Sequence, residues 1–116
     1  MGIFNGKIAV VTGGARDIGK AISIKLAKEG AKVVINYNSS EAGAKETVNE
    51  IKSLGGEAIA IKADVSTIAG IQYLKAKTVE SFGEKIDILV NNAGGLFARK
   101  TLQEIDEDFY DLVMNV

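Results

Sequence analysis

The chain has 116 residues, a formal net charge of −1 and 47% hydrophobic residues, which fits one globular domain. It contains neither cysteine nor histidine, which excludes disulfides, the usual zinc ligands and catalytic triads built on these residues, so we expect no metal site. The mixed charges argue against nucleic-acid and membrane partners, and the absence of a basic leader or long apolar run predicts a cytoplasmic protein.

Strand-like and helix-like segments alternate along the sequence. Continuous apolar runs predict buried strands at 7–12, 32–37, 58–61 and 86–90. Apolar residues at helical spacing predict a helix after each of the first three strands. The candidate end signals of these helices are Gly30, Ser39, Ser40, Gly55, Gly56, Ser66, Thr67 and Gly83. After the fourth strand, Thr101-Leu102-Gln103-Glu104 matches a capping box and predicts a last helix through Phe109 and Leu112.

This alternation predicts an α/β fold with a doubly wound parallel sheet. Helices should cover both faces, and the strand order should be 3-2-1-4, as in the first half of a Rossmann domain. With the glycine-rich turn after the first strand, we interpret residues 1–116 as one dinucleotide-binding domain.

The turn after the first strand is the strongest candidate site. Backbone N–H groups between Gly13 and Gly19 precede a helix and could hold a pyrophosphate. The residues of this turn that we assign to cofactor binding are Gly13, Gly14, Ala15, Arg16, Ile18 and Gly19. The alternative is a simple strand-to-helix corner.

Two further candidate sites follow later strands. Asp64 and Val65 come after the third strand and could bind an adenine, although an acid at a helix N-terminus is the alternative. Asn91-Asn92-Ala93-Gly94 comes at the end of the fourth strand, where ligands bind in such sheets, although a tight polar turn is the alternative. We assign Asn92, Ala93 and Gly94 to cofactor binding.

Together these motifs resemble the N-terminal part of the short-chain dehydrogenase/reductase family. Thr12–Gly19 resembles the family's TGxxxGxG turn, Ala63-Asp64-Val65 its adenine-contacting acid, and Asn91-Asn92-Ala93-Gly94 its NNAG motif. Asn115 is similar to the family's catalytic asparagine, and the resemblance implies that it holds a water in a proton relay. Within the family, Val34–Asn38 most resembles 3-oxoacyl-carrier-protein reductases and related sugar dehydrogenases.

The resemblance also implies a cofactor. Members that prefer NAD carry an acid near the end of the second strand, whereas this chain has Asn36-Tyr37-Asn38 there. Arg16 lies where NADP-dependent members often carry a base, and a guanidinium can grip a phosphate, although a solvated surface charge is the alternative. We therefore predict NADP(H), with NAD as the second choice, and we assign Asn38 to cofactor binding.

Two departures from the family pattern affect this prediction. Asp17 replaces the second glycine of the turn; either it caps its helix, which we favour, or it weakens cofactor binding. The family's catalytic serine and Tyr-x-x-x-Lys pair lie beyond Val116. Tyr73 and Lys77 have the same spacing, but they precede the fourth strand and are interpreted as helix surface.

The resemblance implies an NADP(H)-dependent oxidoreductase that acts on a carbonyl or an alcohol, and a 3-oxoacyl-carrier-protein reductase is the nearest candidate. The substrate would be a small molecule or a carbonyl linked to an acyl carrier, and the parent enzyme would be a homotetramer. The resemblance implies that residues 1–116 lack the C-terminal catalytic half, which would leave the fourth strand as an open edge. We therefore expect the 116-residue chain alone to be an inactive fragment. The alternatives are a half-length, non-catalytic nucleotide-binding or interaction module and another doubly wound phosphate-binding or regulatory domain.

Overall fold

The computed structural model describes residues 2–13, 17–83, 86–91 and 112–115. Strands and helices alternate through most of these ranges, as the sequence predicts. The elements are β1 (Ile8–Thr12), α1 (Asp17–Lys28), β2 (Lys32–Tyr37), α2 (Glu41–Ser53), β3 (Glu57–Lys62), α3 (Ile68–Phe82), β4 (Ile88–Asn91) and β5 (Leu112–Asn115).

The strands form one parallel sheet in the order β3-β2-β1-β4-β5. The first four positions confirm the predicted order 3-2-1-4. All five residues of β1 are buried, as expected for a central strand whose apolar residues run without alternation.

The predicted end of the last helix is wrong. Leu112 and Asn115 lie in β5, which pairs in parallel with β4 through Ile88↔Leu112 and Asn91↔Asn115. The run Leu112-Val113-Met114 is a short apolar segment that suits a buried strand as well as a helix, and sheet pairing decides between the two. β4 is therefore not an open edge. The remainder of the predicted helix, residues 101–111, lies outside the described residues.

The helices cover both faces of the sheet and enclose two apolar cores. One core contains side chains of α1 and α2 and one face of the central strands, for example Leu26, Ile51 and Val11. The other contains side chains of α3 and the opposite face, for example Leu74 and Val10. The described helices do not cover the carboxyl ends of the strands, from which the connecting loops start. Ligands bind at these strand ends in doubly wound sheets.

The helix ends follow the predicted signals in part. Thr67 caps α3, since its hydroxyl oxygen accepts a hydrogen bond from the Gly70 N–H at 3.0 Å. Gly83 ends α3 in the left-handed conformation, with φ of 69°. Ser40 occupies the N-cap position of α2 but makes no capping hydrogen bond with its side chain. No helix within the described ranges has the length and apolar character to cross a membrane.

Candidate functional site

The carboxyl ends of four strands meet along one edge of the sheet. Thr12, the last residue of β1, is in register with Asn36 of β2 on one side and with Asn91 of β4 on the other. Asn91 is in turn in register with Asn115 of β5. The corners after β1 and β4 therefore start side by side, which is the geometry that a shared ligand crevice needs.

The glycine turn begins at this edge. Gly13 follows β1 with φ of +66°, a conformation that favours glycine, and α1 begins four residues later at Asp17. Gly19 is buried, and Ile18 is 57% exposed beside the turn. The N-terminus of α1 thus presents its positive dipole end at the sheet edge. Gly14, Ala15 and Arg16 lie outside the described residues.

A buried hydroxyl ties the first and fourth strands together beneath the turn. The side chain of Thr12 is fully buried, and its Oγ1 donates a hydrogen bond to the carbonyl oxygen of Val90 at 3.2 Å. This role of Thr12 was not predicted from the sequence. A polar residue that ends a continuous apolar strand run is the signal that could have indicated it.

No carboxylate follows the second strand until α2 begins. Tyr37 is half-buried and packs against the α1–α2 core, and Asn38 is exposed directly after it. Residues 36–40 contain only Asn, Tyr and Ser, so no acid at this loop would repel a 2′-phosphate. The role of Asn38 in cofactor binding stays a prediction.

The lysine in the first turn of α1 is engaged by α2. Lys20 Nζ lies 2.6 Å from Glu46 Oε1 and 3.6 Å from Glu50 Oε2. The hydrogen bond to Glu46 is the main cause that raises the pKa of Lys20. These two carboxylates neutralise the charge of the Lys20 ammonium. Among the described residues, the positive potential at the turn therefore comes from the backbone N–H groups and the dipole of α1.

Asp64 forms a compact turn between β3 and α3. Its Oδ1 accepts hydrogen bonds from the Ser66 backbone N–H at 3.0 Å and from the Ser66 hydroxyl at 2.6 Å. The Thr67 hydroxyl donates to the Asp64 carbonyl oxygen at 3.0 Å. These bonds support the structural role of Asp64 before a helix. Its carboxylate is nevertheless exposed, and Val65 is buried in the α3 core, so the predicted contact with adenine stays a prediction.

The turn at Asp64 gives a pH-dependent contribution to stability. Hydrogen bonds from Ser66 lower the pKa of the Asp64 carboxyl below its ordinary value of 3.8. The ionised form therefore stabilises the fold at pH values above 3.8, and this contribution disappears as the pH falls through the lowered pKa.

We expect Asp64→Asn to be less stable than the parent chain at neutral pH, with a difference that narrows below pH 3.8. Urea unfolding between pH 2 and pH 7 measures this difference. Glu80→Gln on the exposed surface of α3 is the matched control, and we expect a much smaller effect from it. A difference for Asp64→Asn that stays constant across the range would contradict the assigned hydrogen bonds.

The remaining predicted residues divide into three groups. Asn92, Ala93 and Gly94 lie outside the described residues. Asn115 lies in β5, with its backbone beside that of Asn91, and Asp17 is the first residue of α1. The roles assigned to these residues stay predictions.

Tyr73 and Lys77 lie on α3, as predicted. Tyr73 is 50% exposed, Lys77 Nζ lies 5.7 Å from its ring centroid, and the same ammonium is 3.6 Å from Glu80 Oε2. These contacts agree with helix surface. Among the residues that the structure describes, no cluster of three or more His, Cys, Asp or Glu side chains could bind a metal ion.

Several known proteins share this architecture. The profile of a family described as short chain dehydrogenase matches residues 7–116. The hydroxynaphthalene reductase-like protein Arp2 of Metarhizium majus is 45% identical over 111 residues, which make up 96% of this chain and 41% of that protein.

Two solved structures show the likeness in three dimensions. A 7α-hydroxysteroid dehydrogenase complexed with NADH and 7-oxo-glycochenodeoxycholic acid is 32% identical with a TM-score of 0.82, and the match covers 88% of this chain and 47% of that one. A short chain dehydrogenase from Burkholderia cenocepacia in complex with NADP is 38% identical with a TM-score of 0.73, covering 88% and 45%.

The matches cover only part of the length of these proteins. This chain spans less than half the length of Arp2 and of both solved structures. The family profile, in contrast, matches nearly the whole chain. The chain belongs to the short chain dehydrogenase family.

Proposed function

We propose that this chain is the cofactor-binding part of an NADP(H)-dependent oxidoreductase that interconverts a carbonyl and an alcohol. The observation that carries the proposal is the arrangement of three turns, after β1, β2 and β3, along neighbouring strand ends. The first turn offers a helix N-terminus, the second offers Asn38 with no acid, and the third offers an exposed carboxylate at Asp64. This sequence of groups suits the pyrophosphate, the phosphorylated ribose and the adenine of one dinucleotide.

Each part of such a cofactor has candidate contacts in this sequence. Backbone N–H groups from Gly13 to Gly19 would bind the pyrophosphate, and Arg16 with Asn38 would bind the 2′-phosphate. Asp64 and Val65 would contact the adenine. When bound, the nicotinamide ring supplies or accepts the hydride.

The residues near the fourth and fifth strands would serve the nicotinamide side. Asn92, Ala93 and Gly94 follow β4, and small residues there would let the cofactor approach the sheet edge. Asn115, in register with Asn91, would hold a water in a proton relay. The serine and the Tyr-x-x-x-Lys pair that the resemblance implies would complete the site.

The choice of NADP over NAD rests on the loop after β2. The two solved relatives include one with NADH and one with NADP, so family membership alone leaves both cofactors open. The absence of an acid at residues 36–40 favours the phosphorylated cofactor in this chain. NAD remains the alternative.

The substrate is proposed at the level of chemical class. The resemblance of Val34–Asn38 favours a 3-oxo group linked to an acyl carrier, and the name of Arp2, a hydroxynaphthalene reductase-like protein, adds hydroxynaphthalenes as a second class. We further propose a cytoplasmic homotetramer for the parent enzyme and no activity for the 116-residue chain alone. The second candidate is a half-length, non-catalytic nucleotide-binding or interaction module.

Direct binding measurements distinguish these proposals. We expect isothermal titration of this chain to give a dissociation constant for NADPH at least tenfold lower than that for NADH, and no oxidation of NADPH with ketone substrates. Equal affinities contradict the preference for NADP(H), and turnover by the chain contradicts its inactivity. A mass of 12.2 kDa for the protein isolated from its own cells favours the half-length module, and a larger mass contradicts it.

A further inference from the structure

A buried amide links the ends of the second and third strands. Asn36 interrupts the apolar run of β2, and its side chain is only 1% exposed. Its Nδ2 donates hydrogen bonds to the carbonyl oxygens of Ile61 at 3.3 Å and Ala63 at 3.1 Å. A primary amide has two N–H donors, and both are used here.

The backbone of β2 adds a third bond to the same segment. The N–H of Ala63 donates to the carbonyl oxygen of Tyr37 at 2.9 Å. Ala63 is therefore held to β2 through its N–H by the backbone and through its carbonyl by Asn36. This attachment extends one residue beyond the last residue of β3, Lys62, to the residue that directly precedes Asp64.

The position of Asn36 gives it influence on both neighbouring turns. The residue lies two positions before Asn38 in the chain, and its side chain reaches the segment that leads into Asp64. Because a buried carbonyl that loses its donor is costly, the segment would shift toward water when the amide is removed. An aspartate has nearly the same shape but donates nothing when ionised, so shape alone does not replace the amide.

We propose that Asn36 is a positioning residue, which holds the Asp64 turn in the shape that receives the adenine and couples this turn to the loop that receives the 2′-phosphate. The inference rests on the function proposed above, because it assigns the adenine to that turn. In this proposal, Asn36 itself contacts neither the adenine nor the 2′-phosphate. Its effect on the adenine passes through Ala63 and Asp64.

A first experiment tests the structural part without any ligand. In Asn36→Ala we expect amide hydrogen exchange at Ser66 and Thr67 to become at least tenfold faster, while exchange in β1 changes less than threefold. Thr47→Val, which removes a buried hydroxyl from α2, is the control and should leave both regions unchanged. A uniform increase over the whole chain, or none at Ser66 and Thr67, would overturn the proposal.

A second experiment tests the coupling to the ligand. Adenosine 2′,5′-bisphosphate is the probe, since it carries the adenine and the 2′-phosphate without the nicotinamide. We expect Asn36→Ala to weaken its binding about tenfold in the parent chain and less than threefold in the Asp64→Ala background. If Asn36→Ala only lowered the stability of the fold, it would weaken binding by the same factor in the parent chain and in Asp64→Ala. Equal factors in the two chains would therefore overturn the proposal.

The outcomes separate this inference from the proposed function. If the parent chain fails to bind the bisphosphate, the proposed function fails, and the role of Asn36 toward adenine is overturned with it. If the parent chain binds and the effects are additive, the inference alone fails. Should Asn36→Ala not fold, Asn36→Ser retains one donor, and the same cycle with Asp64→Ala applies, with about half the logarithmic effect expected.

Discussion

Replacing Asn38 by aspartate is expected to weaken the binding of NADPH by about tenfold to thirtyfold and to leave the binding of NADH unchanged or improved. Asn38 is exposed directly after β2, and the substitution adds a negative charge with almost no change in shape. Two unit charges 4 Å apart repel by about 1 kcal/mol in water, and a phosphate carries nearly two charges, which gives about 2 kcal/mol. Isothermal titration at low ionic strength measures the effect, because salt screens it.

The matched control for this substitution is Asn49→Asp. Asn49 is also exposed and also gains one negative charge, but it lies in α2 rather than in the loop that follows β2. We expect less than a threefold change in NADPH binding from the control. Equal effects of the two substitutions would show that the overall charge, and not the loop after β2, determines the affinity.

The pattern of the sequence predicts most of the fold because central strands and amphipathic helices follow simple periodicities. The continuous run Ile8–Val11 predicts a strand buried on both faces, and this burial is confirmed. The end of β1 then fixes the position of the glycine turn. The strand order follows from the known winding of such sheets, and not from any local feature of the chain.

The fifth strand could not be predicted because its signal is not local. The capping-box pattern at Thr101–Glu104 predicts the start of a helix. The sequence from there to Leu112 contains no glycine or proline that would indicate the end of this helix. The four residues of β5 are too few for a periodicity to distinguish strand from helix. Pairing with β4 decides the conformation, and pairing depends on the whole sheet.

The residues that shape the Asp64 turn were also missed, although each has a weak signal. Asn36 is a polar residue at the end of an otherwise apolar strand, and Gly70 is a glycine inside a helix. Each feature on its own is unfavourable for its element, which indicates a local contact that compensates. The partners of these residues are distant in the chain or across a turn, so only the structure identifies them.

Gly70→Ala is the second substitution with a large expected effect. Gly70 lies in the first turn of α3, and a Cβ at this position would overlap the carbonyl oxygen of Asp64. It would also lie 2.9 Å from the capping hydroxyl oxygen of Thr67. Both contacts are with parts of the turn that hydrogen bonds hold in place, so neither can move freely.

Helix propensity and packing predict opposite signs for this substitution. Propensity alone predicts that alanine stabilises the helix by about 1 kcal/mol relative to glycine. Forcing an extra methyl group into an occupied site typically costs about 1–3 kcal/mol, and disturbing an N-cap costs about 1 kcal/mol more. We therefore expect Gly70→Ala to lower the free energy of unfolding by about 1–3 kcal/mol in urea denaturation.

Ala69→Gly is the control, because Ala69 is an exposed neighbour in the same helical turn. It should cost only the difference in propensity, about 1 kcal/mol, and leave the binding of adenosine 2′,5′-bisphosphate unchanged. Gly70→Ala should also weaken that binding, since the displaced carbonyl belongs to Asp64 itself. An increase in stability on Gly70→Ala would mean that α3 and the Asp64 turn are not packed as closely as the structure shows.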